Sequence, residues 1–233
     1  MSVFYPPILA YHRIGRFKHD HVPTVSIQAF ESQLKLLAKW RITVAPLEAL
    51  AERIIRGGAL PRRTTAITFD DGYEETYSNA WPLLKRFNFP STVFVTPGEV
   101  GLPGFATWEQ VRAMAIDGVT VGNHTMHHTY LPLAKDEALP GELIESKRII
   151  EEKTGRPVRL MSYPVGGYTR RAQEVVRDAG YLAACTTNRG TRGALDPFAI
   201  RRVKMNDRDA HSLLLAAKLS GYYDVFRRLR QPG

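Results

Sequence analysis

Short β-branched or aromatic runs alternate with amphipathic runs about seven times along this chain, and that alternation leaves few architectures open. Pro7–His12, Ile42–Val44, Thr64–Phe69, Pro90–Val95, Val119–Gly122, Leu160–Tyr163, Leu182–Thr186 and Ala199–Val203 read as strands. Ser26–Lys39, Pro46–Ile55, Glu75–Phe87, a segment opening at Thr107, Gly141–Thr154 and Thr169–Ala179 read as helices between them. Two more helices, Ala210–Leu219 and Tyr222–Leu229, are expected at the end. Local signals agree: Phe30, Leu34 and Leu37 form one stripe behind the N-cap Ser26. Thr107 and Gln110 make a capping box that turns Trp108, Val111 and Met114 inward, and Gly155 and Gly180 stop their helices. The pattern predicts an α/β chain with a parallel sheet wrapped by helices. Periodicity alone does not separate a closed barrel from an open sheet. In either, functional loops gather at the C-terminal ends of the strands.

The chain has 233 residues, 44% of them hydrophobic, enough for one sizeable core, and no linker or repeat interrupts it, so a single domain over residues 1–233 is expected. Cys185 is the one cysteine; it excludes an internal disulfide and reads as a small buried strand residue. Met1 to Pro7 lacks the basic start and apolar run of an export signal, so the sequence as written predicts a cytoplasmic protein, and an exported one if the N-terminus has been trimmed. The net charge of +9 reads as a generally basic surface. No recognition motif accompanies it, so no specific nucleic-acid partner is expected. The basic, tyrosine-bearing stretch Gly221 to Arg230 reads as a solvated last helix, with peripheral contact to an anionic membrane surface as the alternative.

Two strand ends carry chemistry. Thr64–Phe69 delivers Asp70, Asp71 and Gly72; adjacent residues leaving a strand face opposite ways, so the two carboxylates have different surroundings. Such a pair at the mouth of a core strand is costly unless a cation or strong donors neutralise it. Alone, it reads equally as a solvated turn. Some fifty residues later, after Val119–Gly122, come His124 and His128, whose spacing on a helical turn puts both rings on one face. Together these stretches point to a site of two histidines and one carboxylate for zinc or another first-row divalent ion. His127 lies off that shared face.

The order Thr68-Phe69-Asp70-Asp71-Gly72, then His124-Thr125-x-x-His128-x-x-Leu131, resembles the first two motifs of the polysaccharide deacetylase family, the NodB-homology domain of carbohydrate esterase family 4. Ile8-Leu9-Ala10-Tyr11-His12, Ser162 to Gly167 and Ala184 to Thr187 resemble segments of the branch that includes poly-N-acetylglucosamine deacetylases. The resemblance implies a distorted (β/α)7-type barrel and a metal-dependent hydrolase that removes N-acetyl groups from a sugar, polysaccharide or glycolipid. It implies one divalent ion, zinc first, with cobalt, nickel or iron as alternatives. Asp71, His124 and His128 resemble the metal triad and Asp70 the general base. The third motif maps onto Tyr163, Pro164 and Val165 at the substrate, with the Val165 N–H as oxyanion donor. The implied partner is a glycan or amino sugar; the oligomeric state is left open.

The chain departs from the family pattern at two points. Ser162 stands where an arginine usually orients the base, and Arg201 or Arg202 is the replacement available. No segment matches the one that supplies the general acid; His12 is the preferred second histidine, ahead of His211. Tyr130, Tyr163 and Tyr168 are candidates to line the sugar site, while Trp81 and Trp108 read as core. These departures keep two alternatives open: a hydrolase of another C–N bond, in a ureide or cyclic imide, and a carbohydrate-binding homologue impaired in catalysis.

Overall fold

The computed structural model describes residues 6–16, 22–187 and 196–221. Its strands are β1 (Ile8–Tyr11), β2 (Arg13–Ile14), β3 (Thr24–Val25), β4 (Thr43–Val44), β5 (Thr64–Phe69), β6 (Ser91–Val95), β7 (Thr120–Asn123), β8 (Leu160–Ser162), β9 (Ala183–Thr186), β10 (Ile200–Arg201) and β11 (Val203–Lys204). Its helices are α1 (Ile27–Lys39), α2 (Leu47–Ile55), α3 (Trp81–Phe87), α4 (Trp108–Ile116), α5 (Ser146–Thr154), α6 (Arg170–Asp178) and α7 (Ser212–Leu219). The caps form as expected: Ser26 accepts from the Ala29 N–H, and Thr107 and Gln110 complete their box. Wide π-helical turns, Thr76–Ala80 and Gly141–Glu145, precede α3 and α5 where single regular helices are expected. The final expected helix, Tyr222–Leu229, lies outside the described residues.

Every pairing in the main sheet is parallel, in the order β10-β9-β8-β7-β6-β5-β1-β11, and β4 adds to Thr64 and Thr65 of β5. The two ends of that order are halves of one extended stretch. Ile200 and Arg201 pair with β9, the Arg202 N–H donates to Thr186 O, and Val203 and Lys204 pair with β1. A single segment therefore bridges both edges, and the sheet is a nearly closed barrel. Counting that stretch once gives seven strand positions, as the (β/α)7 expectation requires.

Strand residues alternate between the two faces. Leu9, Tyr11, Ile67, Phe69, Val93 and Val95 belong to a core shared with Phe30, Leu34, Leu37, Val111, Met114 and Ile150 of the helices. Ile8, Ala66, Phe94, Leu160, Ala183 and Ile200 form the other core, against Leu47, Leu50, Ala51 and Ile54 of α2. This second set is the barrel interior near the N-terminal strand ends, and α2 stoppers it. By the same two-residue period Thr68 and Asp70 follow Ala66, Ser162 follows Leu160, and Arg202 follows Ile200. The interior thus changes from apolar to polar toward the C-terminal rim. Gly122 permits the wall to close there: a Cβ would meet the Phe94 ring at 2.5 Å and Leu160 O at 2.9 Å. Trp81 and Trp108 pack half-buried against the helix-side core, as expected.

Candidate metal centre

The ladder bonds run one residue past several strands and set the rim. The Asp70 N–H donates to Tyr11 O, the His124 N–H to Val95 O and the Tyr163 N–H to Cys185 O, each at 2.9 Å. Asp70 continues the inward alternation of β5. Asp71 (φ 71°) and Gly72 (φ 77°) then turn through left-handed backbone, which sends the second carboxylate elsewhere. The chain passes so close to Val95 that a Cβ on Gly72 would meet its Cγ1 at 3.1 Å.

Asp70 lies in the barrel with a counter-ion. Arg202 grips it with both terminal nitrogens, Nη1 to Oδ1 at 2.7 Å and Nη2 to Oδ2 at 2.6 Å. The same nitrogens donate to Thr68 Oγ1 and Ser162 Oγ, and the guanidinium lies over the Phe94 ring. Both side chains are buried. Burial is the largest single influence and pushes the Asp70 carboxyl up. The charge and hydrogen bonds of Arg202, together with the neighbouring His124 and His12, outweigh it and leave the group below its ordinary range. Of the two arginines offered by the sequence, Arg202 is the partner; it sits in phase with Ile200, inside the barrel. Ser162 occupies the position of the expected arginine and accepts from its replacement. His12 Nε2 is 3.9 Å from Asp70 Oδ2, and its buried Nδ1 has no hydrogen-bond partner among the described residues. Burial is the main influence on His12 and lowers its pKa.

Asp71 meets the histidines. Its Oδ1 is 3.2 Å from Nε2 of His124 and 3.2 Å from Nε2 of His128, and one ligand atom from each residue lies within 4.8 Å of the others. His124 Nδ1 is 2.7 Å from the Ser162 carbonyl, which can only accept, so this nitrogen carries the proton. In the neutral ring, Nε2 then aims a lone pair at a carboxylate oxygen that is itself buried and, among the described residues, has no hydrogen-bond partner. Lone pairs converging in this way are repulsive unless a cation lies between them. Burial raises the Asp71 pKa, yet the two histidines, where they carry protons on the nitrogens that face it, overcome burial and hold the carboxyl well below the usual carboxylate range. His128 is raised in turn, chiefly by Asp71. The donor set, two imidazoles and a carboxylate in a demand for positive charge, fits zinc or a similar divalent ion.

The expected helical turn between the histidines is not formed. Residues 124–128 are an irregular loop, with Thr125 (φ 66°) and His128 (φ 54°) in left-handed backbone. The rings converge because the loop folds back on itself, and not because four residues make a helical turn. His127 points away from Asp71, as expected, and its Nδ1 lies 3.0 Å from Glu142. Sequence reasoning missed Glu142, which no motif marks.

The third segment places its residues differently from one another. Tyr163 is buried, stacks on Tyr168 at 4.7 Å between centroids and donates its hydroxyl to Phe198 O, and Pro164 is buried with it. Their side chains are packing groups of this loop. Val165 is exposed and takes φ 57°, a strained conformation for a β-branched residue. Tyr130 is exposed beside Gly167, where a Cβ would meet its ring at 2.2 Å. His211 is exposed at the start of α7. Among the described residues no helix is long and apolar enough to cross a membrane.

Known proteins share this sequence and fold. The protein YxkH of Bacillus subtilis is 29% identical over 202 residues, covering 86% of this chain and 71% of its own. The poly-beta-1,6-N-acetyl-D-glucosamine N-deacetylase of Staphylococcus aureus is 26% identical over 171 residues, covering 67% of this chain and 59% of its own length. The Streptococcus pyogenes deacetylase PplD, solved in complex with acetate, superposes with a TM-score of 0.83 at 22% identity over 92% of this chain and 97% of its own, a likeness of fold. The family model described as polysaccharide deacetylase matches residues 57–184, from just before β5 into β9, and it spans both the Asp70-Asp71 and the His124–His128 stretches. With that match over more than half of its length, the chain belongs to the polysaccharide deacetylase family.

Proposed function

We propose that this protein is a metal-dependent carbohydrate N-deacetylase, which hydrolyses the acetamido group of an N-acetylated glycan to acetate and a free amino sugar. The observation that carries the reading is the convergence of His124 Nε2, His128 Nε2 and the unpartnered Asp71 Oδ1 on one point. Poly-N-acetylglucosamine is the first substrate to test, because a relative that aligns with two thirds of this chain acts on that polymer. A divalent ion held by these three residues would polarise the acetamido carbonyl and acidify a water beside it.

The chain's own groups divide the remaining work. Asp70, kept ionised by Arg202, takes the proton of the attacking water on a lone pair that the guanidinium leaves free. The left-handed turn at Val165 presents its N–H to the oxyanion, a task in which the side chain has no part. When the C–N bond breaks, the departing amine needs a proton, and His12 supplies it from beside Asp70. Arg202 also answers one of the two departures behind the impaired-homologue alternative, since the Asp70 carboxylate has a bidentate partner.

The test combines metal analysis with acetate release from a panel of N-acetylated glycans, with a ureide and a cyclic imide as controls. About one divalent ion per chain, acetate from a glycan and loss of turnover with a chelator are expected. Undiminished turnover in metal-free protein, or hydrolysis confined to the ureide or imide, would overturn the proposal.

A further inference from the structure

The two histidines are held unequally. His124 follows β7 directly, and its ring is fixed by the Ser162 carbonyl at 2.7 Å. His128 lies at the end of an irregular loop, its side chain is 35% exposed, and its ring makes its close polar contact with Asp71 itself. Left-handed residues at both 125 and 128 mean the loop does not hold this shape by backbone preference. Something else must fix it.

Glu142 does so from the outside. It is buried, Oε2 accepts the N–H groups of Met126 at 2.9 Å and His127 at 3.1 Å, and Oε1 lies 3.0 Å from His127 Nδ1. The acid is in turn keyed to the strand that carries His124. Asn123 Nδ2 donates to Ser146 Oγ at 2.7 Å and to the Tyr181 hydroxyl at 2.6 Å. Those hydroxyls donate to the carbonyls of Glu142 (2.6 Å) and Leu143 (2.7 Å), within the wide turn 141–145. The start of the α5 segment therefore grips the histidine stretch at Asn123 on one side and at 126–127 on the other. Gly98 closes a third side: its N–H donates to Met126 O, and a Cβ there would meet that oxygen at 2.7 Å.

We propose that Glu142 is a positioning residue for the metal centre, which fixes the 125–128 loop so that His128 reaches the same point as His124 and Asp71. The inference rests on the reading of those three residues as ligands. Groups that orient metal ligands in this way typically contribute about 10–100-fold to metal affinity. Glu142→Ala removes the acceptors. Glu142→Gln keeps one carbonyl oxygen for the two backbone N–H groups and serves as the conservative rescue.

The experiment uses the whole chain and zinc alone, with affinity measured by competition against a chelating indicator. Amide hydrogen exchange across residues 124–129 is followed separately in metal-free protein. Glu142→Ala is expected to weaken zinc binding about 10-fold or more, to speed exchange at 126 and 127, and to regain most of its turnover in excess zinc. Glu142→Gln should recover most of the affinity. Glu145→Ala, an exposed acid of the same turn paired with Arg148, should bind zinc as the wild type does. Wild-type affinity and exchange in Glu142→Ala would overturn the role of Glu142 and leave the metal reading standing. A wild-type chain that takes up no zinc would overturn the metal reading itself, and the inference with it.

Discussion

Replacing Arg202 by methionine keeps an unbranched, apolar stem in the barrel but removes the guanidinium from over Phe94 and strands the Asp70 carboxylate inside the barrel. The bonds lost are both short ones to Asp70 and those to Thr68 and Ser162. Removing one partner of a buried, hydrogen-bonded pair costs about 3–5 kcal/mol, mostly the penalty of the charge left behind. In a chain of this size each kcal/mol shifts the midpoint by about 2–4 °C, so the melt should fall by about 6–20 °C. Asp70→Asn should also destabilise, because it leaves the guanidinium buried without its counter-charge. The double variant carries neither charge, and should recover enough to give a coupling of about 2–3 kcal/mol between the sites. Activity should not follow stability: an amide at position 70 cannot take a proton, so the recovered double variant should remain at least about 100-fold below wild type. Thermal denaturation of the four proteins, with acetate release measured well below each midpoint, gives both quantities. Additive melting shifts, or an active double variant, would refute the reasoning.

Other outcomes follow from single residues. His12→Gln should retain zinc and lose about 10²–10⁴-fold in kcat, checked by metal analysis beside steady-state kinetics. Gly122→Ala drives a methyl into Phe94 and the Leu160 carbonyl, and should lower stability by about 1–3 kcal/mol in a denaturant melt. Cys185 is buried, which pushes its thiol up to about 12, so a thiol reagent at neutral pH should label it only as the chain unfolds.

The alternation of strands and helices was legible in the sequence because each layer has a period, while closure of the sheet into a barrel was implied only by the family resemblance. Strand ends such as Phe69 and Val95, and stripes such as Phe30, Leu34 and Leu37, follow from burial on one face. The carboxylate pair was legible for a different reason, since it is costly where it stands, and the two histidines were legible by their spacing in the same chain as that pair. What spacing could not give was direction. The histidines meet through a loop with left-handed residues, which no sequence period encodes. Arg202 could be narrowed to two neighbours, and only the phase of the last strand selects between them. Tyr163 looked like a sugar contact because it adjoins a motif, yet its ring is packed and its neighbour Val165 is the exposed residue. Glu142 carried no signal, because an acid in the first turn of a helix is ordinary.

The stretch that bridges β9 and β1 also gives the protein a chronology. Asp70 leaves the ribosome 132 residues before Arg202, the cation that makes its burial tolerable. Until that arginine arrives, the carboxylate is best accommodated in water or protonated, and the barrel has an open seam where residues 200–204 will lie. Closing the seam and burying Asp70 as a carboxylate are then one event. A chain that stopped short of Arg202 would leave Asp70 without the cation that grips both of its oxygens. The last strand completes the polar end of the barrel around Asp70.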